Sequence, residues 1–168
     1  LRAARHILGK KFSGALARRA LARAVWKGRL EVVRYPGCNP LLVSCAHNDA
    51  SLDADLADIK QMINCGALPR SNLRVVFGVS GGRDSRRFLK KVLAVFNDVT
   101  ITRVAGSDAA YKKISGTPGV ESVPDSFRAT SLVVGPGAER ECFAIVLGSI
   151  YLAGAVMAAA GGSAVPTE

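Results

Sequence analysis

"LLVSCAHNDASLDADLADIKQMIN", Leu41 to Asn64, changes its periodicity at His47. The residues before it, LLVSCA, form a short apolar run that suits a strand buried on both faces. After it, Leu52, Leu56, Ile59 and Ile63 recur at helical spacing as one apolar stripe, and Asp53, Asp55, Asp58 and Lys60 fall on the other side as a solvated face. Asp49 or Ser51 is placed to cap this helix and Gly66 to end it. A buried strand that feeds an amphipathic helix is the first half of a strand-helix-strand unit, the building block of parallel sheets.

The same alternation continues along the chain. "LRVVFGV" (73–79) reads as a continuous apolar strand, then the loop "SGGRD" (80–84), then a helix on which Phe88, Val92, Val95 and Phe96 line up. "DVTITRV" (98–104) and "CFAIVLGS" (142–149) are further strands, the second leading into "IYLAGAVMAAAGG" (150–162). Upstream, "RLEVVRY" (29–35) is joined to the opening strand through the turn "PGCNP". Gly106 to Thr130 carries no clean period, and "SLVVGPG" (131–137) reads as a short strand or a loop edge. The expected fold is a three-layer α/β domain, a mostly parallel sheet covered on both faces.

Charge divides the chain differently. Residues 1–34 hold ten Lys and Arg against Glu31 alone, which is most of the formal net charge of +10, while residues 35–168 are close to neutral. The predicted organisation is a basic arm (1–28), a folded domain (29–163) and a short tail (164–168). Within the arm, Ala17, Ala20, Leu21 and Ala24 share one helical face and Arg18, Arg19 and Arg23 the other, whereas Gly9 and Gly14 interrupt any longer helix. Ten basic residues interspersed with Phe12 and Trp26 suit a polyanion, so Arg2, Arg5, Lys10, Lys11, Arg18, Arg19, Arg23 and Lys27 are the expected RNA-binding residues. The Arg- and Ala-rich, acid-free opening has the composition of an organellar transit peptide or of the region just after one, which points to the mitochondrial matrix.

Composition also narrows the chemistry. With 49% hydrophobic and 21% charged residues, disorder of the whole chain is excluded. Cys38, Cys45, Cys65 and Cys142 form no CxxC pair, and the two histidines, His6 and His47, stand at no ligand spacing, so neither a zinc site nor a disulfide scaffold is expected. No cofactor is expected either. Cys142 to Thr167 carries no charge, long enough for a membrane span, but Gly148, Gly154, Gly161 and Gly162 and the β-favouring FAIVL fit a buried strand and helix better.

Four segments, "VWKGRLEVV", "LLVSCAHND", "VVFGVSGGRD" and "LGSIYLAGAV", resemble in order and spacing the C-terminal domain of folylpolyglutamate synthase/dihydrofolate synthase, in the Mur ligase superfamily. The family patterns are approximately W-x-[GA]-R-L-E, L-[LIV]-D-G-A-H-N-P, V-F-G-x-x-x-D-K-D and G-S-x-Y-L-x-G. The resemblance spans about residues 25–160 and implies a Rossmann-like domain of an ATP-dependent amide ligase, closing over an acyl phosphate and helping to hold glutamate. It assigns Arg29, Ser44, His47, Asn48 and Ser149 to a ligand pocket, with Arg83 and Asp84 in place of the family's Lys-Asp. The chain departs from the pattern where the family has Asp, Gly and Pro and this sequence has Ser44, Cys45 and Asp49. It also holds no G-x-x-x-x-G-K-[ST] phosphate loop. A serine brings no charge to a nucleotide or its magnesium. The sequence therefore points to a non-catalytic relic of a ligase, with no catalytic residue of its own and no small-molecule substrate required.

The expected function is a structural component of a mitochondrial ribosome, bound to rRNA and neighbouring ribosomal proteins by its arm, with no role for DNA and no membrane contact. An accessory subunit of a mitochondrial inner-membrane complex, or a glutamate-ligase half whose ATP-binding partner lies elsewhere, are the alternatives.

Overall fold

In a computed structural model, which describes residues 2–24, 27–135 and 142–161, six strands form one sheet. The strands are β1 (Arg29–Val33), β2 (Leu41–Ser44), β3 (Leu73–Phe77), β4 (Val99–Thr102), β5 (Glu121–Val123) and β6 (Phe143–Leu147). They lie in the order β1-β2-β6-β3-β4-β5. Strand β1 runs antiparallel to β2, and every other neighbouring pair is parallel. A parallel neighbour cannot be reached by a hairpin, so each crossover carries a helix over one face of the sheet.

Helices α3 (Asp49–Asn64), α4 (Ser85–Leu93) and α5 (Asp108–Ile114) cover one face, and α6 (Ser126–Val134) and α7 (Ile150–Gly161) the other. The pleat divides the strands between two cores. Leu42, Val75, Phe77, Ile145 and Leu147 pack with Leu52, Ile59, Phe88 and Val92 on the first side. Leu41, Val43, Val76, Ala144 and Val146 pack with Ala129, Val133, Leu152 and Val156 on the second. All five residues of β6 are buried, which is why FAIVL reads as an unbroken apolar run.

Two sequence expectations change. "SLVV" is the last turn of α6, because Ala129 and Val133 lie one helical turn apart and both pack on the sheet; its beta-favouring composition yields to that packing. The stretch from Gly106 to Thr130, without period, holds α5, the three-residue β5 and the start of α6, each too short for a pattern to register. The cap of α3 is neither Asp49 nor Ser51 alone. Asn48 accepts from the Ser51 amide at 2.9 Å, and the Ser51 hydroxyl receives the Asn48 amide in return at 3.2 Å, a reciprocal box that satisfies two otherwise orphan donors.

The acidic side of α3 is not simply solvated. Lys91 of α4 reaches across to Asp49 at 2.7 Å and to Asp53 at 2.7 Å, and Arg87 joins Asp49 at 3.3 Å. Asp55 is half-buried. The arm consists of α1 (Arg2–Leu8), a 3-10 turn (Gly9–Lys11) and α2 (Gly14–Arg23), broken at the glycines as expected. Trp26 and the tail 164–168 lie outside the described residues.

Beyond β6 the chain turns at Gly148, whose φ is +105°. A Cβ there would meet the Gly78 carbonyl oxygen at 2.5 Å and the Phe77 ring at 2.9 Å. Gly148→Ala combines backbone strain with a clash against buried atoms, and urea unfolding should show a loss of about 3 kcal/mol.

The α3–α4 cluster predicts a pH dependence. The hydrogen bond from Lys91 holds the Asp49 carboxyl below its ordinary value of 3.8, and the same contacts raise the Lys91 ammonium above 10.5. The carboxylate's share of stability is thus present above pH 3.8 and lost as pH falls through the lowered value; the ammonium's is present below pH 10.5 and lost as pH rises through the raised one. Lys91→Met should lower the urea midpoint at neutral pH and lower it progressively less as the medium is acidified past Asp49's titration.

Candidate functional site

The carboxyl ends of β2, β6 and β3 lie side by side, and their loops leave in different directions. The chain passes from β2 and β3 into α3 and α4 on one face, but from β6, between them, into α7 on the other. Such a reversal opens a crevice above the strand ends, where open α/β sheets place ligands. Antiparallel β1 delivers Arg29 to this same edge, opposite Ser44.

Three residues expected in the pocket, Arg29, His47 and Asn48, are brought to the rim, and Arg83 joins them. Arg29, His47, Asn48 and Arg83 are all exposed there. The His47 ring places Nδ1 3.1 Å from the Cys45 carbonyl oxygen, and its main chain accepts a 2.6 Å bond from Arg83 Nε. This bond ties the loop before α3 to the loop before α4. Arg83 keeps its two terminal nitrogens, a fork that suits a carboxylate or a phosphoryl group.

Two expected residues are spent inside the fold. Ser149 is fully buried, its Oγ 2.7 Å from Ser80 Oγ and accepting the Tyr151 amide at 3.2 Å, so it caps α7 and braces the β3 loop. Ser44 is fully buried as well. Its hydroxyl donates to the Asp55 carboxylate and accepts the Ala46 amide at 3.1 Å. These bonds turn the Ser44 and Ser149 hydroxyls inward, and the half-buried Asp55 corrects its placement on the solvated face. The edge thus holds a carboxylate beside position 44, carried on α3.

Cys45, where the family has glycine, finds its room on the neighbouring strand's approach. A Cβ on Gly28 would lie 2.5 Å from Cys45 Sγ, and Gly28, with φ +71°, has none. The Cys45 amide donates to the Gly28 carbonyl at 2.7 Å. Burial pushes the Cys45 thiol above its ordinary pKa, against the pull of Arg29, so the thiol stays protonated and acts as packing. Glu31 closes the turn, accepting from the Gly28 amide at 2.8 Å, a bond that, helped by Lys27, holds its carboxyl below the usual value.

Ser80 and Ser107 were not singled out from the sequence. Ser107 Oγ accepts the Gly81 amide at 2.8 Å, fixing the "SGGRD" loop. Ser80 lies inside a segment that already stood out, but Ser107 sits in the aperiodic stretch and offers no signal. Among the described residues no group of three or more His, Cys, Asp or Glu could hold a metal ion. A cavity of about 460 Å³ lies elsewhere, at the amino ends of the strands, lined by Cys38, Asn39, Pro40, Asn72, Cys142 and Phe143. Of its two cysteines, Cys142 is committed: Asn39 Nδ2 donates to Cys142 Sγ at 3.2 Å, and burial raises that thiol's pKa.

The fold recurs in solved structures. The fold is that of a Mur ligase C-terminal domain. Folylpolyglutamate synthase from Thermotoga maritima matches with a TM-score of 0.59 and 22% identity over 86% of the chain. UDP-N-acetylmuramate-alanine ligase from the same organism matches at 0.59 and 15% over 92%, and a murein peptide ligase from Psychrobacter arcticus at 0.56 and 14% over 89%. The chain spans about a third of the length of each (33%, 34% and 33%). No family model matches the sequence, and no curated protein matches it.

The buried Ser44–Asp55 hydrogen bond predicts the behaviour of a swap. Ser44→Asp sets a second carboxylate against Asp55 in a buried position and should cost about 3 kcal/mol at neutral pH by thermal unfolding. Ser44→Asp combined with Asp55→Ser should restore most of that loss.

Proposed function

We propose that the chain is the C-terminal domain of an ATP-dependent amide ligase, working with an ATP-binding unit carried elsewhere. The observation that carries this reading is the convergence of Arg29, His47, Asn48 and Arg83, drawn from three separate sequence segments, on one sheet edge with Asp55 behind them. The guanidinium groups bind anionic oxygens of an acyl phosphate or of an incoming amino-acid carboxylate, and the imidazole supplies a hydrogen bond at the rim. The domain contributes binding and water exclusion; activation by ATP takes place on the other unit. Ser44, taken alone, suggested a site stripped of its charge, but Asp55 keeps a carboxylate within hydrogen-bonding distance of it.

A second reading rests on the concentration of positive charge in the arm. There the chain is a non-catalytic structural component of a mitochondrial ribosome, its domain a ligase relic and its arm on rRNA. Arg5, Lys10, Lys11, Arg18, Arg19, Arg23 and Lys27 are all exposed, Lys27 being paired with Glu31 at 3.2 Å.

Affinity purification of the tagged chain, followed by assay of glutamate-dependent ADP release, separates the two. On the ligase reading the purified complex turns over, and Arg83→Ala lowers kcat/KM by about tenfold or more. Absence of turnover together with ribonuclease-sensitive co-sedimentation with a ribosomal subunit would overturn it in favour of the second.

A further inference from the structure

The arm exposes more than charge. Of the large apolar side chains left exposed among the described residues, Ile7 (80%), Leu8 (48%), Leu16 (63%) and Leu21 (57%) belong to it. On α2, Leu16, Ala20, Ala17 and Leu21 form one apolar arc, Arg18 and Arg19 lie across the helix from it, and Arg23, two turns on from Leu16, borders it. The Ser13 hydroxyl accepts the Leu16 amide at 3.3 Å and starts the helix. A helix of ten residues is marginal in water by itself, so the state in which α2 is firmly helical is one in which its apolar face is covered.

We infer that the arm lies on an anionic lipid surface, with α2 parallel to the membrane plane. The charge suits any polyanion, but the aliphatic face separates them. Phosphodiester chains are bound by guanidinium, ammonium and stacking aromatic groups, and exposed leucines gain nothing from them. At a bilayer, Leu16 and Leu21 enter the boundary between headgroups and acyl chains while the three arginines stay among the phosphates. Arg5, Lys10 and Lys11 extend the basic surface, and no acidic residue precedes Glu31 to repel it. Each basic residue near an anionic leaflet raises partitioning about fivefold at low salt. No helix among the described residues is long and apolar enough to cross a membrane, and none is needed for this attachment. The inference goes beyond the ligase reading and does not rest on it.

The test is flotation of the intact chain with phosphatidylcholine vesicles, with and without about a third of phosphatidylglycerol, beside retention on poly(U) RNA. The expected result is about tenfold or more tighter binding to the anionic vesicles, weakened by salt. L16S/L21S lowers vesicle binding by about tenfold and leaves RNA retention unchanged, whereas R18Q/R19Q/R23Q lowers both. Failure to float, flotation indifferent to L16S/L21S, or release from vesicles by an equal concentration of RNA phosphate would each overturn the inference, the last in favour of an RNA-bound arm.

Discussion

The sheet depends on β6 entering the slot between β2 and β3. Its partners lie far away in sequence: Leu41 to Val43 pair with Ala144 to Val146 on one side, and Leu73 to Phe77 with Phe143 to Leu147 on the other. Without β6 the two halves of the sheet share no strand pairing. With it, both cores become continuous, since Ile145 and Leu147 complete the first and Ala144 and Val146 the second. The entropy of closing so long a loop is recovered only when all five residues are buried together, which ties the stability of either half to the other.

That same insertion creates the crevice above the strand ends. A strand whose helix leaves on the opposite face from those of its neighbours parts the loops above it, and the chain uses hydroxyl groups to hold the parting in shape. Ser80 meets Ser149, Ser107 holds the Gly81 amide, and Ser44 joins β2 to α3 through Asp55. Four serines that look alike in sequence therefore act as braces, and the longer Arg29, His47 and Arg83 stand exposed at the rim. Because Arg83 Nε donates to the His47 carbonyl, the loops before α3 and α4 are tied together at the rim.

The layer architecture was legible because helices and strands long enough to show a period, above all Leu41 to Asn64, state which face is buried. Legibility failed where elements are short or where position depends on a distant neighbour. Asp125 accepts the Arg128 amide at 2.8 Å and opens α6, a cap signal that the beta-favouring "SLVV" obscured. Asp55 lies about 60° around the helix from the centre of the Leu52–Leu56–Ile59 stripe. It sits at the margin of the buried face, and only the placement of β2 shows that a hydroxyl waits there. Exposure of the arm's leucines is likewise a property of what does not pack on them, which no local pattern contains.

At the rims, a bulge between Arg29 and Glu31, with Leu30 at φ +47°, twists the end of β1, and on the far side β5 is three residues long. A bent rim and a stub both make poor templates for another strand. A sheet this apolar is thereby protected from edge-to-edge growth into aggregates, and any lasting association with other chains is directed to helices, loops and the arm.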